Sequence, residues 1–240
     1  MFKVYPCWEQ PCLLEFIRKT KFEFSVRWEG CAILSKAGFP LQEFKPEKGY
    51  HTLLPKAPGI DCNRPRYLTT RVQLPNRSEF FLTCIHLIHK YSDLRHGEVV
   101  RISEDLREVF DEELPQLWMG DFNTLRRADY SLEEWDEIVK IRKQNGRKAP
   151  LEDVTEELDR LGFVDNWTLA GCPNPRTTSR QGEDSFNMQS NYVFLLRFDT
   201  RVDYVLSSSA FLEQWQLTSF QHIPHPASDH SFVIADFQQT

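Results

Sequence analysis

The chain has 240 residues, of which 40% are hydrophobic and 13% aromatic, so it can bury the core of one large α/β domain or two small ones. Its 18 Phe and 6 Trp favour packed β-sheets over a helical bundle. A net charge of -6 argues against a protein that coats nucleic acid through bulk positive charge. An enzyme that binds one phosphate group through a metal ion and a few arginines remains compatible with this charge.

The cysteine spacing bears on metal binding, and the N-terminal sequence bears on the location of the protein in the cell. The six cysteines include no CxxC pair, which argues against a zinc ribbon. The N-terminal stretch MFKVYPCWEQ contains no apolar run typical of a secretory signal peptide. No run of the chain reaches the length of a membrane span. These features predict an intracellular protein, cytoplasmic or nuclear, without a membrane span, and they leave the oligomeric state open.

The first predicted element is a helix over residues 11–20, whose apolar residues share one face. Alternating apolar residues at 22–26 and the apolar run at 31–35 predict two strands. Pro and Gly are frequent over 46–65, which predicts a loop.

The rest of the chain alternates strands and helices. Residues 67–74 and 80–87 predict an antiparallel hairpin with a turn at 75–77. The other predicted elements are helices at 93–110, 132–143 and 151–161 and strands at 117–119, 201–207, 216–221 and 232–237. Because the early strands pair as a hairpin, we expect a layered α/β sandwich rather than a doubly wound parallel sheet.

A Gly-Asp-Phe-Asn motif at residues 120–123 directly follows an apolar strand. The glycine allows the backbone to turn sharply, and Asp121 and Asn123 then project to the same side of an extended segment. A carboxylate and an amide at this spacing can bind a hard cation and the phosphate that it bridges. An ordinary turn is the alternative, because Gly, Asp and Asn all favour turns.

Three other positions carry polar groups at strand ends or inside apolar strands. His230 follows Asp229 before the last predicted strand, where the histidine could take a proton from water and the aspartate could orient it or bind a cation. An exposed histidine after a strand N-cap is the alternative. Asp203 lies in an apolar strand and needs a partner, either a histidine or an arginine such as Arg201. His86 ends a buried strand, where a satisfied core histidine is the plain interpretation.

Taken together, the segments GCAILSK, TCIHL, GDFN, RVDYVL and SDH resemble, in order and spacing, the endonuclease/exonuclease/phosphatase superfamily. This group includes pancreatic-type deoxyribonucleases, abasic-site endonucleases, inositol polyphosphate 5-phosphatases and neutral sphingomyelinases. The resemblance runs from Gly30 to the C-terminus, and the segment that follows GDFN resembles a branch of the superfamily outside its well-known substrate classes. It implies a four-layer α/β sandwich in which two packed mixed β-sheets are flanked by helices.

The resemblance also implies a chemistry, in-line attack of water on a phosphoester with Mg²⁺, or alternatively Mn²⁺, neutralising the charge at phosphorus. Asp121 would orient the attacking water and contact the metal, and Asp229 would sit near the same ion. Asn123 would hold a phosphate oxygen or the water. The base is left open.

The two histidines receive roles from the same resemblance. His86 would hydrogen-bond the scissile phosphate. His230, held by Asp203, would stabilise the charge developing on phosphorus or help to activate the nucleophile.

The N-terminal region departs from the family pattern. The family normally opens with a strand that carries an Asn, a helix, and a strand that ends in Leu-Gln-Glu, whose Glu binds Mg²⁺. Neither motif precedes Cys31, so we expect residues 1–240 to be one domain that lacks this first strand–helix–strand. Residues 41–43 spell Leu-Gln-Glu after the 31–35 strand, which we interpret as a coincidence that leaves Glu43 on an exposed strand face. Such a chain is expected to be poorly active and marginally stable.

Three functions follow as hypotheses. The first is a phosphodiesterase or nuclease whose substrate is a phosphoester, including nucleic acid; the second is a phosphatase of small-molecule or lipid phosphoesters; the third is a non-catalytic binding module. The helices after residue 123 either pack as a surface insertion or shape the mouth of the site. Arg126 and Arg127 either contact phosphates or are solvated charges.

Overall fold

The computed structural model describes residues 22–28, 31–36, 40–46, 67–89, 91–144, 146–176, 200–224 and 230–240, and of 22–28 only the backbone. The helix predicted at 11–20, most of the loop predicted at 46–65, and Asp229 lie outside the described residues. No helix in these ranges is both long and apolar enough to cross a membrane.

The architecture is built on a mixed sheet of six strands. The strands of the described chain are β1 (Phe22–Trp28), β2 (Cys31–Lys36), β3 (Leu41–Glu43), β4 (Tyr67–Gln73), β5 (Glu79–His86), β6 (Gln116–Asp121), β7 (Phe163–Asp165), β8 (Asp203–Ser208), β9 (Trp215–Ile223) and β10 (Phe232–Gln239). The large sheet has the order β3-β4-β5-β6-β8-β7, and only the β5–β6 pair is parallel. The predicted hairpin of β4 and β5 is confirmed, and Arg77 makes its turn with a φ of 70°.

The helices lie between these strands in the sequence. They are α1 (Ser92–Asp105), α2 (Arg107–Asp111), α3 (Leu132–Gln144), α4 (Asp153–Arg160), α5 (Asn166–Leu169) and α6 (Ser209–Gln214). The single helix predicted over 93–110 is wrong in one respect, because it is interrupted at Leu106. Leu106 has φ −98° and ψ 16°, outside the helical region, although its amide still donates to the carbonyl of Ile102 at 3.0 Å, and its side chain is buried in the core.

Two apolar cores cover the two faces of the large sheet, because alternate residues of a strand point to opposite faces. On one face, the side chains that pack around α1 and α4 are Ile85, Val99, Ile102, Trp118, Val154, Leu158 and Leu206. On the other face, the side chains that pack with β2, β9, β10 and α6 include Ile33, Leu82, Met119, Val205, Phe211, Phe220 and Val233. The central strands are therefore covered on both sides, which explains the nearly continuous apolar runs in β5 and β6.

The predicted α/β sandwich, with packed β-sheets and flanking helices, is confirmed. The second β layer differs in detail from the prediction of one mixed sheet. Among the described residues it consists of two separate antiparallel pairs, β1–β2 and β9–β10, which share the same apolar core. The polar residues described below lie where β5 and β6 end, at His86 and Asp121.

The helix-facing core provides a test of the packing. Replacement of Ile102, which is fully buried, by Ala is expected to lower the free energy of unfolding by about 2–5 kcal/mol, since it removes apolar contacts and leaves a cavity. The matched control is Leu132→Ala on α3, whose side chain is 69% exposed and whose loss is expected to change stability by less than about 0.5 kcal/mol. Urea unfolding of both variants makes the comparison, and equal effects would contradict the burial described here.

Candidate active site

Three neighbouring strands of the large sheet, β5, β6 and β8, bring three of the predicted site residues together where β5 and β6 end and β8 begins. In the parallel pair His86 lies opposite Asp121, and in the adjacent antiparallel pair Asp121 lies opposite Asp203. Residues opposite one another on neighbouring strands have their side chains on the same face. The register therefore places a histidine and two carboxylates in a row, although they are far apart in the sequence.

Gly120 is required by the close approach of β6 to β5. It has a φ of 132°, and a Cβ atom at this position would lie 1.9 Å from the carbonyl oxygen of Ile85. Every other residue type would collide with the neighbouring backbone at this point. The glycine thus serves a close strand contact immediately before Asp121, and the strand continues to Asp121 instead of turning at the glycine.

Asn123 orients the carboxylate of Asp121. Its backbone amide donates to Asp121 Oδ1 at 2.7 Å, and its side-chain Nδ2 donates to Asp121 Oδ2 at 3.0 Å and to the carbonyl of Leu87 at 2.9 Å. Asn123 has a φ of 50°, so the segment curls back on itself and is not extended as predicted. The two side chains meet through this turn, and a contact of Asn123 with phosphate remains a prediction.

His230 and Asp203 form a buried pair. The Nδ1 atom of His230 lies 2.7 Å from Oδ2 of Asp203, and the two side chains are 7% and 3% exposed. The histidine is thus the partner that Asp203 was expected to need. The alternative partner, Arg201, binds Asp129 and Asp165 instead.

Asp121, Asp203 and His230 form a group whose ligand atoms all lie within 4.8 Å of one another, and all three residues are buried. His86 adjoins them, with Nε2 at 3.9 Å from Asp121 Oδ2, and its side chain is 25% exposed. Two carboxylates and an imidazole in this arrangement provide oxygen and nitrogen ligands for a divalent cation. The group is therefore buried and chemically able to bind a cation, and His86 beside it is partly exposed.

The electrostatics of this group fit a cation. Burial, and next the charge of Asp203, raise the pKa of Asp121 to about 8, although His230 and the Asn123 amide act in the opposite direction. Two carboxylates held together away from water repel each other, and either a proton or a metal ion relieves the repulsion. The residues present thus fit a divalent cation of the kind that the resemblance implies.

A buried network around Arg201 was missed by the sequence analysis. Arg201 is 0% exposed and donates to Asp129 at 2.9 and 3.0 Å and to Asp165 at 3.1 and 2.6 Å. Its guanidinium also lies over the rings of Trp167 and Tyr204, at 4.5 and 4.3 Å from their centroids. This network fixes the backbone two residues before Asp203 against the segment that follows Asn123. No signal in the sequence pairs these distant residues.

Arg126 and Arg127, for which the sequence left phosphate contact and solvation as alternatives, both form hydrogen bonds within the protein. Arg126 donates to Asp159 at 2.6 Å, and Arg127 donates to the carbonyl of Tyr130 at 2.8 Å. Helix α3 packs through Trp135 against this region, which favours the interpretation as a packed insertion.

The tripeptide at 41–43 does not reach the site. It forms β3 at the edge of the large sheet, where Glu43 lies 3.6 Å from Lys45. Two strands separate β3 from β6, a distance of about 14 Å between strand axes. Glu43 is therefore not among the described metal-ligating residues, as expected for a coincidence.

The raised pKa of Asp121 predicts that removal of this carboxyl group stabilises the metal-free protein. In metal-free buffer, Asp121→Asn is expected to stabilise the protein at about pH 8 by on the order of 2 kcal/mol, and much less at about pH 5. The reason is that the folded protein holds a proton on Asp121 that the unfolded chain releases above its ordinary pKa of 3.8. Wild-type stability thus falls as the pH rises through this window. Urea unfolding in EDTA at both pH values measures the difference, and a difference independent of pH would contradict it.

No family model matches the chain, and no curated protein matches it. Solved structures do match. A functionally unknown conserved protein from Enterococcus faecalis has a TM-score of 0.57 and 19% identity, over 95% of this chain and 81% of that chain. The 3′ phosphatase NExo from Neisseria, bound to a product DNA hairpin, has a TM-score of 0.57 and 14% identity, over 93% of this chain and 82% of that chain.

An endonuclease/exonuclease/phosphatase family protein from Bacteroides thetaiotaomicron has a TM-score of 0.51 and 12% identity, over 98% of this chain and 82% of that chain. At these identities the likeness concerns the arrangement of strands and helices. The chain has the fold of the endonuclease/exonuclease/phosphatase superfamily.

Proposed function

We propose that the protein is a metal-dependent hydrolase of phosphoester bonds, of the phosphodiesterase or nuclease type, and a member of the superfamily whose fold it has. The observation that carries the proposal is the buried group of Asp121, Asp203 and His230, with ligand atoms within 4.8 Å of one another. His86 beside this group supplies a polar contact at its solvent side. The solved structures with this fold include a 3′ phosphatase bound to a DNA product, which supports a phosphoester substrate.

In this proposal Asp121 and Asp203, together with Asp229 as expected from the sequence, would hold Mg²⁺ or Mn²⁺. When bound, the ion neutralises charge on the phosphate group and favours attack by water. Asn123 keeps the Asp121 carboxylate fixed through two hydrogen bonds, one to each of its oxygens. The water is oriented by the same carboxylate.

The Asp203–His230 pair provides the proton acceptor. Because Asp203 accepts a hydrogen bond from Nδ1, the basic nitrogen of the neutral imidazole is Nε2. That nitrogen can take a proton from the attacking water, and Asp203 then stabilises the imidazolium that forms. His86, less buried than the pair, donates to a phosphate oxygen as charge develops on it.

The direct test is hydrolysis of bis(p-nitrophenyl) phosphate with Mg²⁺ or Mn²⁺ by the full chain. His230→Ala is expected to lower kcat by about 10²–10⁴-fold, because it removes the proton acceptor. EDTA is expected to abolish turnover and added Mg²⁺ to restore it. His96→Ala is the control, since His96 is a partly exposed histidine on α1 that pairs with Glu157. Turnover that persists in EDTA, or equal rates for both variants, would overturn the proposal.

A substrate panel distinguishes the classes. A phosphodiesterase or nuclease is expected to cleave oligonucleotides with a higher kcat/KM than sugar or lipid phosphomonoesters. The opposite order would favour the small-molecule or lipid phosphatase. Absence of both turnover and heat of metal binding would favour a non-catalytic binding module.

A further inference from the structure

Arg127 carries a charge that no carboxylate balances in the part of the chain that the structure describes. Three arginines in its surroundings each bind a carboxylate, and these are Arg126, Arg176 and Arg201. Arg127 instead donates through Nη1 to two backbone carbonyls, of Tyr130 at 2.8 Å and Ser131 at 3.4 Å. A guanidinium has five N–H donors, so the edge formed by Nε and Nη2 keeps its donors.

Solvent reaches this edge of the guanidinium. The Arg127 side chain is half-buried. The buried polar atoms that lack a partner in the described chain include Nε of Arg95 and Nε of Arg126, but neither Nε nor Nη2 of Arg127. A ligand can therefore contact these two nitrogens of Arg127 from solution, whereas the other two arginines hold their Nε atoms inside the protein.

The position of the guanidinium is fixed by its neighbours. It lies over the ring of Trp135, at 5.2 Å from the centroid, and this indole is 9% exposed and packs against Tyr130. Ser131 and Glu134 exchange hydrogen bonds of 2.8 and 3.1 Å that cap the start of α3 and hold this indole in place. An arginine fixed in this way loses less freedom on binding a ligand than a mobile surface side chain does.

The turn that carries Arg127 is attached to the start of β8, where Asp203 lies. Asp129, in the same turn, accepts hydrogen bonds from Arg201 at 2.9 and 3.0 Å. Val202, the next residue, packs against the apolar cluster that includes the indole under the guanidinium. Arg127 therefore belongs to the flank of the candidate active site beside β8, outside the metal-ligating group itself.

The chain sets an upper limit on the distance between Arg127 and the site. Arg127 follows Asn123 by four residues, so their Cα atoms are at most about 14 Å apart. Because the backbone at Asn123 is not extended, the separation is shorter than this limit. Successive phosphates of a nucleic-acid strand lie about 3.4 Å apart along the helix axis. Phosphates that flank the reacting one thus fall within this range.

We propose that Arg127 is a specificity residue, which binds a phosphate of a nucleic-acid strand that flanks the phosphate to be hydrolysed. The Nε–Nη2 edge of a guanidinium matches two oxygens of one phosphate. The contact favours strands over substrates that carry a single phosphate group. The identity of the reacting phosphate rests on the proposed function, whereas the contact of Arg127 with a strand can be measured without turnover.

The salt dependence of binding tests this contact. The full chain is titrated in EDTA with fluorescent single-stranded oligothymidylate at several NaCl concentrations. Each phosphate contact contributes about 0.7 to the slope of log K against log salt concentration. Arg127→Gln is expected to lower the slope by about this amount and to weaken binding by about 10-fold, because it removes a charge-assisted contact.

The matched control is Lys143→Gln, an equal change of charge at an exposed position in the last turn of α3. Its slope is expected to equal that of the wild type. Absence of oligothymidylate binding by the wild type, an unchanged slope in Arg127→Gln, or an equal loss of slope in both variants would overturn the proposal.

A conservative variant separates recognition from a structural role. Arg127→Lys keeps the charge but removes the paired edge. It is expected to regain the wild-type slope while binding stays weaker than in the wild type. Thermal unfolding of each variant shows whether the fold is retained. A folded Arg127→Lys protein with the reduced slope of Arg127→Gln would contradict a phosphate contact, because only a structural role requires the guanidinium for the slope.

Kinetics test whether the contact serves the substrate. For Arg127→Gln, the ratio of kcat/KM on a 5′-phosphorylated dinucleotide to kcat/KM on bis(p-nitrophenyl) phosphate is expected to fall about 10-fold through KM. An unchanged ratio would refute the role in specificity. A larger fall for a nucleoside diphosphate than for the dinucleotide would overturn the strand as the source of the phosphate. The predicted change of slope without turnover of any substrate would refute the proposed hydrolase and leave the Arg127 contact intact.

Discussion

The repulsion between the two buried carboxylates of Asp121 and Asp203 is the constraint on which the rest of the site depends. The strand register places them opposite each other on β6 and β8, and burial removes the water that would screen their charges. Such a pair does not add to the stability of the fold. Its repulsion is relieved when one carboxylate holds a proton or when the pair binds a cation. The surroundings are built to maintain the arrangement: Gly120 allows β6 to approach β5, Asn123 fixes one carboxylate, and His230 binds the other.

The charged groups around the site divide into two kinds. Arg201 is fully buried but fully compensated, because Asp129 and Asp165 bind its guanidinium from two sides. It holds the entry to β8 in place, and as a fully buried side chain it is out of reach of a ligand. Arg95 is also buried, but its Nη1 makes only long hydrogen bonds, to the carbonyls of Ile88 and His89, and no carboxylate of the described chain forms an ion pair with it.

Much of the fold followed from local patterns in the sequence. The hairpin of β4 and β5, the strand before Asp121 and the helix around Trp135 are determined by alternation, apolar runs and 3.6-residue periodicity, which act over short distances. The site residues were identified from polar groups at strand ends and from the resemblance. Their contacts, such as Asp203 with His230, became visible only through the register of the sheet.

Other features could not be predicted for a physical reason. The Arg201 network joins residues separated by 36 and 72 positions, which no local pattern in the sequence links. Asn123 was expected on an extended segment, but its positive φ is set by the hydrogen bonds to Asp121. Arg126 and Arg127, adjacent to the motif in sequence, turned out to pair with Asp159 and a backbone carbonyl. Proximity along the chain was therefore a poor guide to proximity in the site.

The central claim is that a divalent cation replaces a proton on the buried carboxylates. Calorimetric titration with Mn²⁺ at about pH 7, repeated in buffers with different ionisation enthalpies, measures both the affinity and the number of protons released. The account predicts saturable binding with release of about one proton per ion, and loss of both in Asp121→Asn, because the pKa of Asp121 is raised to about 8 in the metal-free protein. Absence of Mn²⁺ binding, or binding that is unchanged in Asp121→Asn, would contradict it.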